Sequence, residues 1–270
     1  VAILDSLSDV GVFVRDLKKA KAFYTKKLGL KVRSSMPQVE YLALGATKGG
    51  ADASLNLWQP VPTWGPDYDE FQKQIGVVTG IGFLTSDLKK TVVALGKKGI
   101  EVKTEGEGGR FGRFSDPDGN ELFIVQPSKT KVHRAGLSSL AFLTVVSRDA
   151  KASREFFQKA LGLKARRVPG EEGEGEFVML QLSPKGTGIA PFTPTREMYE
   201  DAKDYDEDMA HVGEDTSVMF TTKDVYKAQD ALMARGVRFS EKAEKKEWGG
   251  IQAKFLDPDD NEYAIVQMVD

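Results

Sequence analysis

Two histidines and no cysteine stand in 270 residues, which excludes thiolate nucleophiles, disulfides and cysteine-containing metal sites together. His133 lies in the basic run Lys-Thr-Lys-Val-His-Arg, and His211 follows an acidic, tyrosine-containing stretch. Each reads as a surface histidine, and His211 is the one that would border a pocket. There is no Gly-x-Ser-x-Gly, no Ser–His–Asp set and no glycine-rich strand-to-helix loop to cradle phosphate. Glu105-Gly-Glu-Gly-Gly109 is an acidic hairpin that would repel phosphate. The remaining concentration of chemistry is aromatic: Trp58-Gln-Pro-Val-Pro-Thr-Trp-Gly-Pro-Asp-Tyr-Asp-Glu-Phe71. Its prolines cut the entropy of ordering and its flat rings suit planar or apolar ligands, so it reads either as a rigid aromatic rim or as a linker covering a sheet edge.

Forty acidic against 38 basic residues give a net charge of −2, which provides no broad field for nucleic acid or anionic lipid. No apolar run approaches the roughly 18 residues of a membrane span, and the start Val-Ala-Ile-Leu-Asp-Ser-Leu-Ser-Asp lacks a basic leader, so the cytoplasm is the default location. The acidic runs Glu171–Glu176 and Tyr199–Asp208 read as solvated surface without the spacing of a calcium loop.

These side chains are positioned by a duplicated chain. Val12–Leu30 returns as Val145–Leu163 at an offset of 133, Ser86–Ile100 as Lys223–Val237 at 137, and Ser115–Gln126 as Leu256–Gln267 at 141. The domains are therefore placed at 1–130 and 135–270, joined near Pro127–His133. Each holds two modules, at about 1–60 and 79–127, then about 139–194 and 215–268. Asp16, Asp87, Asp149 and Asp224 each end a strand-like run and open a helix, where a carboxylate caps orphan amides. The first helix carries Leu17, Ala20, Phe23, Tyr24 and Leu28 on one stripe and ends at Gly29. Three short strands follow each helix. Asp116-Pro-Asp-Gly-Asn120 is a hairpin turn, and its counterpart carries Asp260 in place of glycine, at some cost in strain.

A strand ending in V-x-D-L, a helix with A-x-x-F-Y closing on L-G-L, and a late D-P-D-G-N resemble the vicinal-oxygen-chelate superfamily of glyoxalases, bleomycin-resistance proteins and extradiol dioxygenases. The resemblance implies an α+β fold of four βαβββ modules, arranged as two tandem glyoxalase-like domains whose curved mixed sheets form cups. It places the family's metal-ligand positions on Asp9, Asn56, Gly80 and Phe123 in the first half, and on Phe142, Ala190, Ser217 and Ala264 in the second. A catalytic ion needs three or four converging donors, and these residues do not supply them. No cofactor is expected, and a divalent metal would require an atypical site.

Counting by twos from those positions puts Phe13, Trp58, Phe123, Phe142 and Met219 on cup-facing sites. The resulting expectation is a metal-independent protein binding a small, partly aromatic or apolar molecule in the first-half cup, through Asp9, Phe13, Asn56, Trp58, Trp64 and Phe123. One alternative is a lyase, isomerase or oxygenase using Asp9, Asn56 and Glu121; another is an interaction module with filled cups. Glu121 and Glu262 otherwise read as strand-end charges reaching solvent. As an internal pseudo-dimer the chain needs no second copy, although further association stays open.

Overall fold

The computed structural model describes residues 3–105, 109–127, 132–168, 177–199 and 201–268; Glu171–Glu176, Gly106 and Gly108 lie outside the described residues. The order strand, helix, three strands occurs four times. The first module is β1 (Ser6–Phe13), α1 (Leu17–Ala22), β2 (Lys31–Met36), β3 (Tyr41–Gly45) and β4 (Ser54–Trp58). After α2 (Asp67–Lys73) come β5 (Val78–Thr85), α3 (Leu88–Gly96), β6 (Lys103–Glu105), β7 (Phe111–Ser115) and β8 (Glu121–Val125). The third module is β9 (Leu137–Val146), α4 (Ala150–Lys159), β10 (Lys164–Val168), β11 (Phe177–Gln181) and β12 (Gly188–Phe192). After α5 (Ala202–Ala210) the fourth is β13 (Asp215–Thr221), α6 (Val225–Met233), β14 (Arg238–Lys245), β15 (Ile251–Leu256) and β16 (Glu262–Gln267). The expected α+β class and module order are both present.

The chain forms two compact units, Val10–Leu143 and Val1–Asp9 with Thr144–Asp270, so β1 and β9 each contribute residues to both. Within Val10–Leu143 the strand orders are β1-β4-β3-β2 and β9-β5-β8-β7-β6. β3 is antiparallel to β2 and β4, whereas β5 runs parallel to β8. Within the other unit the orders are β14-β15-β16-β13-β1 and β10-β11-β12-β9, with β13 parallel to β16.

The repeat is built from local hydrogen bonding. Asp16, Asp87 and Asp224 accept from the amides of Lys19, Lys90 and Lys227, and Asp149 from Lys151 and Ala152, so all four predicted caps are formed. These backbone hydrogen bonds hold the carboxyls of Asp16, Asp87 and Asp224 below their ordinary range. A second cap recurs that the sequence reading did not single out. The first helical amide of each module, on Leu17, Leu88, Ala150 and Val225, donates to Gln59, Gln126, Thr193 and Gln267 respectively. Each acceptor stands at the end of its module's last strand, so helix start and sheet end are tied together.

In the first module α1 lies against β3 and β4. Leu42, Leu44, Leu55 and Leu57 are at most 1% exposed and, by strand alternation, share one face. Tyr41, Ala43, Asn56 and Trp58 must then share the opposite face.

Candidate functional site

On that face the register pairs Tyr41 with Trp58 and Ala43 with Asn56. The Tyr41 and Trp58 rings have centroids 4.6 Å apart. The aromatic stretch after β4 then folds back. Pro62–Trp64 forms a single 3-10 turn and α2 follows, with Asp67, Asp69 and Glu70 in its first turn where the helix dipole favours anions. This brings Trp64 edge-on to Trp58 at 6.1 Å, Phe71 edge-on to Trp64 at 5.6 Å, and Phe71 stacked on Phe13 at 4.6 Å. Five rings from β1, β3, β4, the turn and α2 thus form one continuous cluster within Val10–Leu143.

Asn56 stands two residues before Trp58 on the same face, about 7 Å along the strand. Its side chain is 0% exposed, and neither its Nδ2 nor its Oδ1 has a hydrogen-bond partner among the described residues. Buried carboxamides are ordinarily satisfied. The loop that launches β4 is fixed by a largely buried ion pair, Arg33 to Asp52 at 2.7 Å with side-chain exposures of 11% and 6%. Arg33 also donates to the Asp52 carbonyl, and Asp52 accepts from the Leu140 amide. The guanidinium lies over Gly45, where a Cβ would collide with it.

The Asp-Pro-Asp-Gly-Asn turn positions Phe13. Asn120 donates through Nδ2 to the Phe13 carbonyl and accepts through Oδ1 from the Gly76 amide just beyond α2, so one side chain holds both sides of the Phe13–Phe71 stack. Asp116 orders the turn by accepting from the amides of Asp118 and Asn120, the Asn120 amide group and the Tyr24 hydroxyl. Burial raises the Asp116 carboxyl above its ordinary range against the pull of those hydrogen bonds, and burial also lifts the Tyr24 hydroxyl well above its own. In the other unit Asp257, Asn261 and Tyr263 repeat this arrangement beneath the Val146 carbonyl. Asp260 there has φ 69°, the left-handed conformation expected where Gly119 has φ 91°.

Of the ligand-binding residues expected from sequence, the structure brings together Phe13, Asn56, Trp58 and Trp64. Asp9 is half-buried on β1, four residues before Phe13 and by alternation on the same face, and it falls in the other compact unit. Phe123 stands on β8, in the other sheet of its unit, with its ring against Phe111 at 6.5 Å. Tyr41 and Phe71 complete the cluster and were not among the expected binding residues, although Phe71 ends the aromatic stretch read as a possible rim, and the counting by twos that found Trp58 reaches Tyr41 once the β3–β4 register is known. Phe142 is buried over Gly82, where an added Cβ would collide with the ring. Gly80 and Ser217 occupy matching bulges with φ 68° and 54°.

The carboxylates and histidines considered for chemistry are paired. Glu121 meets Arg113 at 3.2 Å, and Glu262 and Asp215 meet Lys254 at 2.6 and 2.8 Å. Burial disfavours the Lys254 charge, but the two carboxylates outweigh it and raise its pKa. His211 contacts Glu214 at 2.8 Å and His133 lies 4.0 Å from Asp87, both exposed. Among the described residues no group of three or more His, Asp and Glu side chains is placed to hold a metal ion, and no helix is long and apolar enough to cross a membrane.

Four βαβββ modules in tandem define a glyoxalase-like fold. The chain belongs to the Glyoxalase/Bleomycin resistance protein/Dioxygenase superfamily, whose family profile matches residues 6–124 and 139–265. Among solved structures, glyoxalase I from Zea mays is similar over 97% of this chain and 92% of that one, with a TM-score of 0.69 and 20% identity. A putative dioxygenase from Bacillus subtilis subsp. subtilis str. 168 is similar over 99% and 86%, with a TM-score of 0.62 and 13% identity. At these identities the likeness is one of fold. A sequence search of curated proteins gives no match.

Proposed function

We propose that this superfamily member binds a small planar or apolar molecule without a metal, on the β1–β4–β3 face of Val10–Leu143. The observation that carries the reading is the cluster of Phe13, Tyr41, Trp58, Trp64 and Phe71 on the sheet face opposite the leucines. Aromatic side chains recognise flat ligands by stacking, and small-molecule sites are mostly apolar with a few placed polar groups. The donor chemistry supports the same reading. A catalytic ion requires three or four converging ligands, and of the family's positions only Asp9, Asn56 and Ser217 carry side-chain oxygen or nitrogen. The residues present do not fit the ion, and no reaction step is assigned to one. An enzyme built on Asp9, Asn56 and Glu121 gains no support, because Glu121 is paired with Arg113 on the other sheet.

The test is a fluorescence titration of a Trp248→Phe variant, in which Trp58 and Trp64 are the remaining tryptophans. A panel of planar aromatic compounds should include some that change the emission saturably. No response to any member of a broad panel overturns the proposal.

A further inference from the structure

The buried Asn56 carboxamide narrows the class of ligand, on the premise that the aromatic face is a binding site. Its exposure is 0%, and both of its polar atoms lack partners among the described residues. A carboxamide presents an N–H donor and a carbonyl acceptor side by side in one plane. The group that satisfies both at once offers an acceptor and a donor with the same spacing, as the cis-amide edge of a lactam or imide ring does. Exchanging the nitrogen and oxygen positions of Asn56 leaves this requirement unchanged, because neither atom is engaged either way.

The neighbours favour a ring over an open-chain amide. Trp58 lies on the same face two residues along β4, with Tyr41 opposite it, and the small Ala43 stands opposite Asn56 on β3. We infer that the site selects planar ring compounds carrying a cis-amide edge, with the ring stacked on the aromatic cluster and the amide edge paired to Asn56.

Carbostyril, a fused aromatic lactam, and its N-methyl derivative, which keeps the ring and carbonyl but loses the donor, separate the two parts of this statement when compared by calorimetric titration. Quinoline serves as the ring control. Carbostyril is expected to bind at least about tenfold more tightly than N-methylcarbostyril, because the derivative leaves a buried carboxamide atom unpaired. Asn56→Leu should bring the two affinities within about twofold, whereas Asn56→Asp, which loses the donor to the carbonyl both compounds share but keeps an acceptor for the lactam N–H, should weaken both and keep the preference. Thermal melting of each variant establishes that it is folded, and retained binding of quinoline shows that the aromatic face is intact. Equal binding of the two compounds by the unaltered protein, or a preference that survives Asn56→Leu, overturns the inference while leaving the aromatic site standing. Failure of all three compounds to bind overturns the inference and counts against the site itself.

Discussion

Replacing Asn56 with leucine should make the protein more stable. The side chain is 0% exposed, with both polar atoms unpartnered among the described residues, so the folded state bears the desolvation of an amide that water would otherwise satisfy. A buried group left without a hydrogen bond costs about 1–3 kcal/mol, and leucine, which has the same branching but is larger, removes the penalty while adding apolar contact. Taking about 1 kcal/mol for each of the two groups gives a gain of about 2 kcal/mol. For a chain of this size that corresponds to a rise in Tm of roughly 4–8 °C. Differential scanning calorimetry of the two proteins in one buffer measures it. Asn56→Asp should move in the opposite direction at neutral pH, because an unpaired carboxylate is harder to bury than an amide. An unchanged or lowered Tm for both Asn56→Leu and the smaller Asn56→Val would mean that the carboxamide is already satisfied in the folded protein, and its role in recognition would fall with it. A polar group that costs stability is the pattern expected where function and stability compete, and it accords with the binding proposed for this face.

Other perturbations follow from the turn and the caps. Asn120→Ala removes the hydrogen bonds to the Phe13 carbonyl and the Gly76 amide, and should cost about 2–4 kcal/mol in urea unfolding as well as weaken ligand binding; a loss below about 1 kcal/mol contradicts the positioning role. Ser217→Gly replaces a left-handed serine at φ 54° by the residue found at φ 68° in the matching bulge, and should stabilise by about 0.5–1 kcal/mol, seen as a raised urea midpoint. The turn and cap carboxylates should titrate in opposite directions, as followed by carboxyl NMR. Burial raises Asp116 and Asp257, so the folded chain holds more protons than the unfolded one above pH 3.8, and their contribution to stability falls as pH rises through that window. Backbone hydrogen bonds lower Asp16, Asp87 and Asp224, so their contribution is present above pH 3.8 and lost as pH falls through the lowered values. Shifts of the same sign in both groups would contradict the assignment.

The fold was legible because its instructions are local and repeated. Asp16, Asp87, Asp149 and Asp224 mark four helix starts by cap chemistry alone, and Asp116-Pro-Asp-Gly-Asn120 marks a hairpin by turn chemistry. Strand alternation also put Phe13, Asn56 and Trp58 on one face. The completion of the site was less legible because it depends on non-local geometry. Tyr41 joins through the β3–β4 register, and Phe71 joins because the proline-rich stretch turns into α2 and folds back on Phe13. Counting along a strand gives the face of Phe123 but not which sheet carries it, and β8 lies in the β9-β5-β8-β7-β6 order. The orphaned state of Asn56 is likewise a property of its surroundings and leaves no trace in spacing.

Metal-independent binding on the aromatic face can be tested by one comparison. The affinity of a planar compound that perturbs Trp58 and Trp64 emission is measured before and after exhaustive chelation. The two dissociation constants should agree within about twofold, a difference of about 0.4 kcal/mol. Binding that disappears on chelation and returns with zinc, nickel, manganese or iron would contradict it.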